Sequence, residues 1–327
     1  QSPTDTQTIS LVYNTAIETM VMTKPFLGVD IAINGDSSLE HSVSSGQPVR
    51  VDVSWQSNNP TKITDATIEV ALKGDALNRY SIYASNGGFY RSSNNTIVWE
   101  KTGNPGLASI EPGATGRMSF SFSPTAIGIN TGKATKNQQI TLEIKVNARR
   151  SSDVGVDENV TTFVTRKVNI QTELHLATRG LYFSGPFKNT GPLPPHVGKE
   201  TTYTIVWTVT NTTNDVSNVS VVATLPAIYM RWLNNFSPTS EDISYNTSSS
   251  EITWNVGRMP AGGTREIAFQ ISFLPSLSQL KSSPTILGAS ALSGSDDFTK
   301  AALSEKKSEL RTLIYSDSQF TQNQGFV

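Results

Sequence analysis

Three histidines, His41, His175 and His196, are the groups best suited to proton transfer near neutral pH. They fall in three separate segments with neither an HxH nor an HExxH spacing, so only folding could bring them together. No Gly-x-Ser-x-Gly elbow and no phosphate-binding glycine loop is present; Ser184-Gly185 and Ser293-Gly294 read as turns. Carboxylates gather in two loops, Asp153 with Asp157 and Glu158, and Asp296 with Asp297. Loop oxygens of this kind can hold Ca²⁺, but the alternation of a dedicated Ca²⁺ loop is missing and solvated loops are the better reading. Cysteine is absent, which excludes disulfides and thiolate metal sites. The expectation is a chain that is not an enzyme and carries no cofactor or metal.

Aromatic residues offer a different chemistry, stacking on a sugar or a partner. Trp55, Trp99, Trp207 and Trp254 lie on apolar faces of alternating runs, where core packing is expected. Trp232 has no such place, so Tyr229 and Trp232, in Tyr229-Met-Arg-Trp232, are the candidate partner contact. Sequons at Asn94, Asn159, Asn211, Asn218, Asn235 and Asn246 would accept glycans in a host that glycosylates.

The elements that must position these residues are strands. Gly198-Lys-Glu-Thr-Thr-Tyr203-Thr-Ile205-Val-Trp207 is a turn signal followed by apolar alternation at period two. After the polar turn Asn211-Thr-Thr-Asn-Asp215 come Val219 to Leu225, then Ile252-Thr-Trp254 and, past Gly262-Gly263, Ile267-Ala-Phe269-Gln-Ile271. The same layout occurs earlier. Gly46 to Trp55 matches Gly198 to Trp207, Ile97-Val-Trp99 matches Ile252-Thr-Trp254, and Met118-Ser-Phe120-Ser-Phe122 matches Ile267 to Ile271. The chain therefore reads as two copies of one antiparallel module.

These motifs resemble the conserved repeat domain of unknown function found in tandem in bacterial and archaeal cell-surface proteins. Residues 198–274 match it well and residues 46–122 loosely. Gly88-Phe-Tyr-Arg, Tyr182-Phe-Ser-Gly-Pro-Phe and Gly191-Pro-Leu-Pro-Pro are more similar to one subgroup, large membrane-anchored surface proteins of small-genome uncultured bacteria. There the two modules follow other sandwich modules and an N-terminal anchor. The resemblance implies an extracellular or cell-surface location and an architecture, but no reaction.

The fold class expected is all-β, two tandem immunoglobulin-like antiparallel β-sandwich domains at 25–172 and 173–298. Residues 1–24 would be an N-terminal β-segment, the end of a preceding module or a donor strand, and 299–327 a C-terminal extended segment with a polar tail from Ser316. In 1–24, Ile9, Leu11, Val12, Tyr13, Ile17, Met20 and Met22 exceed what the first module needs; they either dock in cis or add as a strand to another molecule. A net charge of −1 with 16% charged residues excludes a phosphate-neutralising nucleic-acid binder. No apolar run is long enough to span a membrane, and the start at Gln1 reads as a processed form or an excised ectodomain. The function expected is a non-enzymatic structural component of the cell surface, whose partners are other surface modules or further copies of itself. The alternatives are a carbohydrate- or protein-binding adhesin module and a non-catalytic appendage of a larger surface enzyme.

Overall fold

The computed structural model describes residues 25–126, 135–151 and 157–327. The proposed contact strand, Ile9 to Met22 in residue order, lies outside them, as does Asp153. The first half of the chain runs β1 (Leu27–Ile33), β2 (Glu40–Val43), β3 (Val49–Ser57), β4 (Ile63–Lys73), β5 (Leu77–Ala84) and β6 (Phe89–Arg91). It continues through β7 (Thr96–Trp99), β8 (Ser109–Ile110), β9 (Thr115–Pro124), β10 (Gln139–Ser151) and β11 (Asp157–Ile170). The second half comprises β12 (Leu174–Leu181), β13 (Thr201–Asn211), β14 (Val216–Thr224), β15 (Met230–Ser237), β16 (Asp242–Asn246) and β17 (Glu251–Met259). Then follow β18 (Thr264–Phe273), β19 (Thr285–Leu287), β20 (Ser290–Asp296), β21 (Ala302–Lys307) and β22 (Leu310–Arg311).

The chain is all-β, and its strands form facing sheets. A four-stranded sheet β1-β3-β9-β5 faces the larger sheet β2-β11-β10-β4-β7-β6, in which β8 also pairs with β4. A second four-stranded sheet, β12-β13-β18-β15, faces β16-β17-β14-β20-β21, with β19 and β22 as a small separate pair. The strand order of the second pair of sheets follows that of the first: β3 and β13 are central, β9 and β18 lie beside them, and β5 and β15 form the edges. One apolar cluster fills the space between the first two sheets and a separate one fills the second, with a break between Ile170 and Leu174.

Alternation explains where each core lies. In β3, Val49, Val51, Val53 and Trp55 point inward while Arg50 and Gln56 face solvent. Strand β13 departs from this pattern, because its outer face is also covered. The proline-rich loop ahead of it crosses that face. Phe187 packs on Leu181, Val206 and Ala268. Asn189 donates to the Tyr182 carbonyl and the Thr204 hydroxyl at 3.0 Å each, and Gln270 donates back to Asn189 at 3.0 Å. The loop is thereby anchored to the sheet.

Two expectations need correction, one about the repeat and one about the C-terminal segment. Trp99 and Trp254 are equivalent, facing Ile68 and Val221 across β4 and β14. Trp55 and Trp207 are not. The turns Gly113 (φ 76°) and Gly262 (φ 70°) hold the same left-handed position, and from them Met118 and Ile267 correspond. Met118 pairs with Val53, whereas Ile267 pairs with Trp207; Trp55 instead faces Gly116, two residues nearer the strand end. The distance from a glycine turn to a tryptophan does not set register; the cross-strand partner does. The C-terminal segment also differs from its expected tail. Strand β21 pairs with β20, and Thr312, Ile314 and Asp317 are buried, so the chain end is folded onto the second pair of sheets.

Trp55 lies across Gly116, where an added Cβ would sit 2.2 Å from its ring. Gly116→Ala is therefore expected to destabilise the chain by about 1–3 kcal/mol through overpacking, read as a lower urea midpoint at unchanged slope. A loss below about 0.5 kcal/mol would show that the ring has room to move.

Candidate functional site

The structure scatters the residues that could do chemistry. His41 approaches Asp36 at 3.3 Å, His175 lies 3.3 Å from Glu173 and 4.0 Å from Glu305 through its other nitrogen, and His196 sits in a turn. Among the described residues, no group of three metal-ligating side chains converges. No helix of the described residues is long and apolar enough to cross a membrane.

Tyr229 and Trp232 do come together, at the end of the second half that lies away from the first. Trp232 is half-buried, stacked on Tyr245 at 6.1 Å and tilted against Phe269 at 5.3 Å; Tyr229 meets Phe273 edge-on at 5.8 Å. They line an open groove of about 470 Å³ with Arg231, Tyr245 and Leu274, beside a fully exposed Ile228. Burial, aided by the Glu309 carboxylate and opposed by Arg311, raises the Tyr229 hydroxyl above its ordinary pKa.

The densest polar chemistry lies where the two halves meet, at residues read from sequence as a polar turn and a solvated loop. Asp296 is fully buried. Its Oδ2 accepts from the Thr172 amide at 2.8 Å and the Asn214 side chain at 2.9 Å; its Oδ1 accepts from the amides of Phe298 and Thr299 at 2.8 and 3.1 Å. Asn214 also donates to the Ile170 carbonyl at 2.9 Å and accepts from the Asn137 amide at 3.0 Å, both in the first half. The Thr172 hydroxyl donates to Asn211 at 2.8 Å and accepts from the Thr213 amide at 2.8 Å. Asn211 closes the turn onto the Asn214 and Pro260 carbonyls at 2.7 and 2.9 Å. A buried carboxylate costs several kcal/mol to desolvate, a cost offset here by four N–H donors. These contacts account for Asp296 as a structural group. The sequon at Asn211 is shut for the same reason, since its amide is buried and committed.

At the rim, Lys136 from the first half pairs with Asp215 at 2.7 Å, and Arg258 reaches the same carboxylate at 3.2 Å. Lys136, the Ala261 amide and Arg258 together hold the Asp215 carboxyl below its ordinary pKa, against a smaller opposing effect of burial. Sequence reasoning found none of this, because short polar side chains signal turns and solvent. The one clue was their density, since Asn and Thr bond readily to nearby backbone.

No family model and no curated protein matches the sequence. Among solved structures, the C-terminal domain of the Streptococcus pyogenes antigen I/II-family protein AspA aligns at 12% identity and a TM-score of 0.30, covering 86% of this chain and 98% of that one. BcpA, the major pilin subunit of Bacillus cereus, aligns at 10% identity and a TM-score of 0.31, covering 92% and 68%. A cohesin module from a Clostridium perfringens family 33 glycoside hydrolase aligns at 11% identity and a TM-score of 0.25, covering 43% and 96%. At such scores these are likenesses without functional argument, and the fold stated above rests on the strand order itself.

Asp296→Ala is expected to cost more than about 2 kcal/mol, because it removes the acceptor of two buried donors, Thr172 and Asn214, and of two part-buried ones, Phe298 and Thr299; a loss under about 1 kcal/mol in chemical denaturation would contradict the network's role. For Asp215, a folded-state pKa below the unfolded value means a contribution present above about pH 4 and lost as pH falls further. Hydrogen-exchange protection of the Asn137 amide should therefore drop between pH 5 and pH 3, each referred to its own intrinsic rate, and Asp215→Asn should remove most of that drop. Protection independent of pH would contradict the assignment.

Proposed function

We propose that the chain is a non-enzymatic structural component of a cell surface, made of tandem immunoglobulin-like modules at 25–172 and 173–298. The observation that carries this reading is the junction. Two sheet pairs in series are joined through a buried, hydrogen-bonded seam, as suits a stalk or filament that must keep its shape under load. The segment containing Ile9, Leu11, Val12, Tyr13, Ile17, Met20 and Met22 then serves as the subunit-contact strand, added to the next molecule along the polymer.

The groove at Tyr229 and Trp232 supports a second reading, an adhesin module. Aromatic residues beside an arginine and an exposed Ile228 are the composition of a contact surface.

Light scattering on the intact chain and on one beginning at Pro25 tests the first reading. The intact chain is expected to assemble with rising concentration and the shortened one to stay monomeric; two monomers would contradict the polymer. Glycan and protein arrays probed with the intact chain and with Trp232→Ala test the second. Binding lost in the variant supports it, and no binding by either rejects it.

A further inference from the structure

A strand added from another molecule needs an open sheet edge to receive it, and most edges here are closed. Strand β5 is broken by a bulge between Asn78 and Tyr83, and β15 by one between Trp232 and Asn235. Strands β2, β6 and β16 are short, with four, three and five residues. Strand β21 ends in Glu305-Lys306-Lys307, a charged edge. Strand β12 is capped. Its outward amide at Leu176 donates to Glu305, that of Gly180 to Ser316 at 3.2 Å, and that of the following Tyr182 to Asp317 at 2.8 Å.

Strand β1 holds the place in the first half that β12 holds in the second, at the edge beside the central strand. It is seven residues long and pairs with β3 without a bulge. The Asn34 amide reaches across to Arg50, so the even-numbered amides face β3 and the odd-numbered ones face out. Of the latter, Ile33 bonds to Asp36 in the adjoining turn and Ile31 is covered by the Asp30 carboxylate at 3.0 Å. The Val29 amide has no acceptor among the described residues. Val29 is also only half-buried, as are Val160 and Val164 of β11, which passes close to β1 on the facing sheet. Among the described residues the edge thus presents unpaired main-chain groups above an incompletely covered apolar margin.

Resting on the strand-addition reading above, we infer that the β1 edge at Leu27 to Ile31 is the acceptor, and that its occupant is the 9–22 segment of a second copy of this chain. Pro25 and Phe26 lead into β1, and their carbonyls accept from the Asn58 side chain and amide at 3.0 and 2.9 Å. The second copy follows from the strand-addition reading, and the same copy is an outcome of the test below. The alternating Ile9, Leu11 and Tyr13 would cover the Val29, Val160 and Val164 margin while their backbone pairs with β1.

Val29→Pro tests this. It removes an outward amide and leaves the ladder to β3 intact, so the fold should be kept while assembly weakens at least about tenfold in concentration, as for a lost main-chain pairing. Thermal unfolding of the variant checks the fold. Because the chain has no cysteine, Val29→Cys can also be mixed with Ile9→Cys, Leu11→Cys or Tyr13→Cys and oxidised. A disulfide-linked dimer in at least one mixture is expected, and this result decides the matter if Val29→Pro does not fold. If Val29→Pro assembles like the intact chain while removal of residues 1–24 abolishes assembly, strand addition stands and the β1 assignment falls. Cross-links confined to single chains carrying both cysteines overturn the second copy as occupant. An intact chain that stays monomeric at every concentration overturns both the acceptor and the reading beneath it.

Discussion

The buried carboxylate of Asp296 constrains everything around it. A charge removed from water is tolerated only where donors surround it, and these donors come from the linker, from the turn before β14 and from the turn after β20. Satisfying that one group therefore fixes three chain segments at once. Asn214 extends the constraint into the first half through Ile170 and Asn137, so the linker cannot swing without orphaning several buried polar atoms. Interfaces between domains of one chain are usually small and polar, and motion is the default. Here the polarity is buried and paired, which turns a polar contact into a seam.

The seam makes sense of differences between the two halves. The second half has its sheet face strapped by the proline-rich loop and its β12 edge capped by side chains from the C-terminal segment. Asp317 accepts from three successive amides, Tyr182, Phe183 and Ser184, and although burial works against it these bonds hold its carboxyl below its ordinary pKa. Among the described residues the first half shows no comparable strap, and its β1 edge is covered only at Ile31 and Ile33.

Much of the fold was legible because apolar alternation writes a half-buried strand directly into sequence. The central strands β3, β13, β9 and β18 announce themselves this way. Strands β5 and β15 did not, since bulges at residues 79–82 and 233–234 break the period. The junction was illegible for a different reason. Burial of Asn211, Asn214 and Asp296 depends on what the second half rests against, which no local pattern encodes. Tyr229 and Trp232, the candidate partner contact, line one groove, yet part of Trp232 belongs to the core through Phe269 and Tyr245.

If the seam holds the two sheet pairs in one arrangement, the distance between points on the two halves is fixed. Tyr80 and Ile228 are fully exposed, one in each half, and the chain offers no native cysteine to interfere with labelling. Spin labels placed by Tyr80→Cys and Ile228→Cys would report the distance between the halves by pulsed dipolar spectroscopy. One narrow distance distribution, broadened when Asp296→Ala is added, is the predicted result. A broad distribution in the chain with Asp296 intact would contradict it.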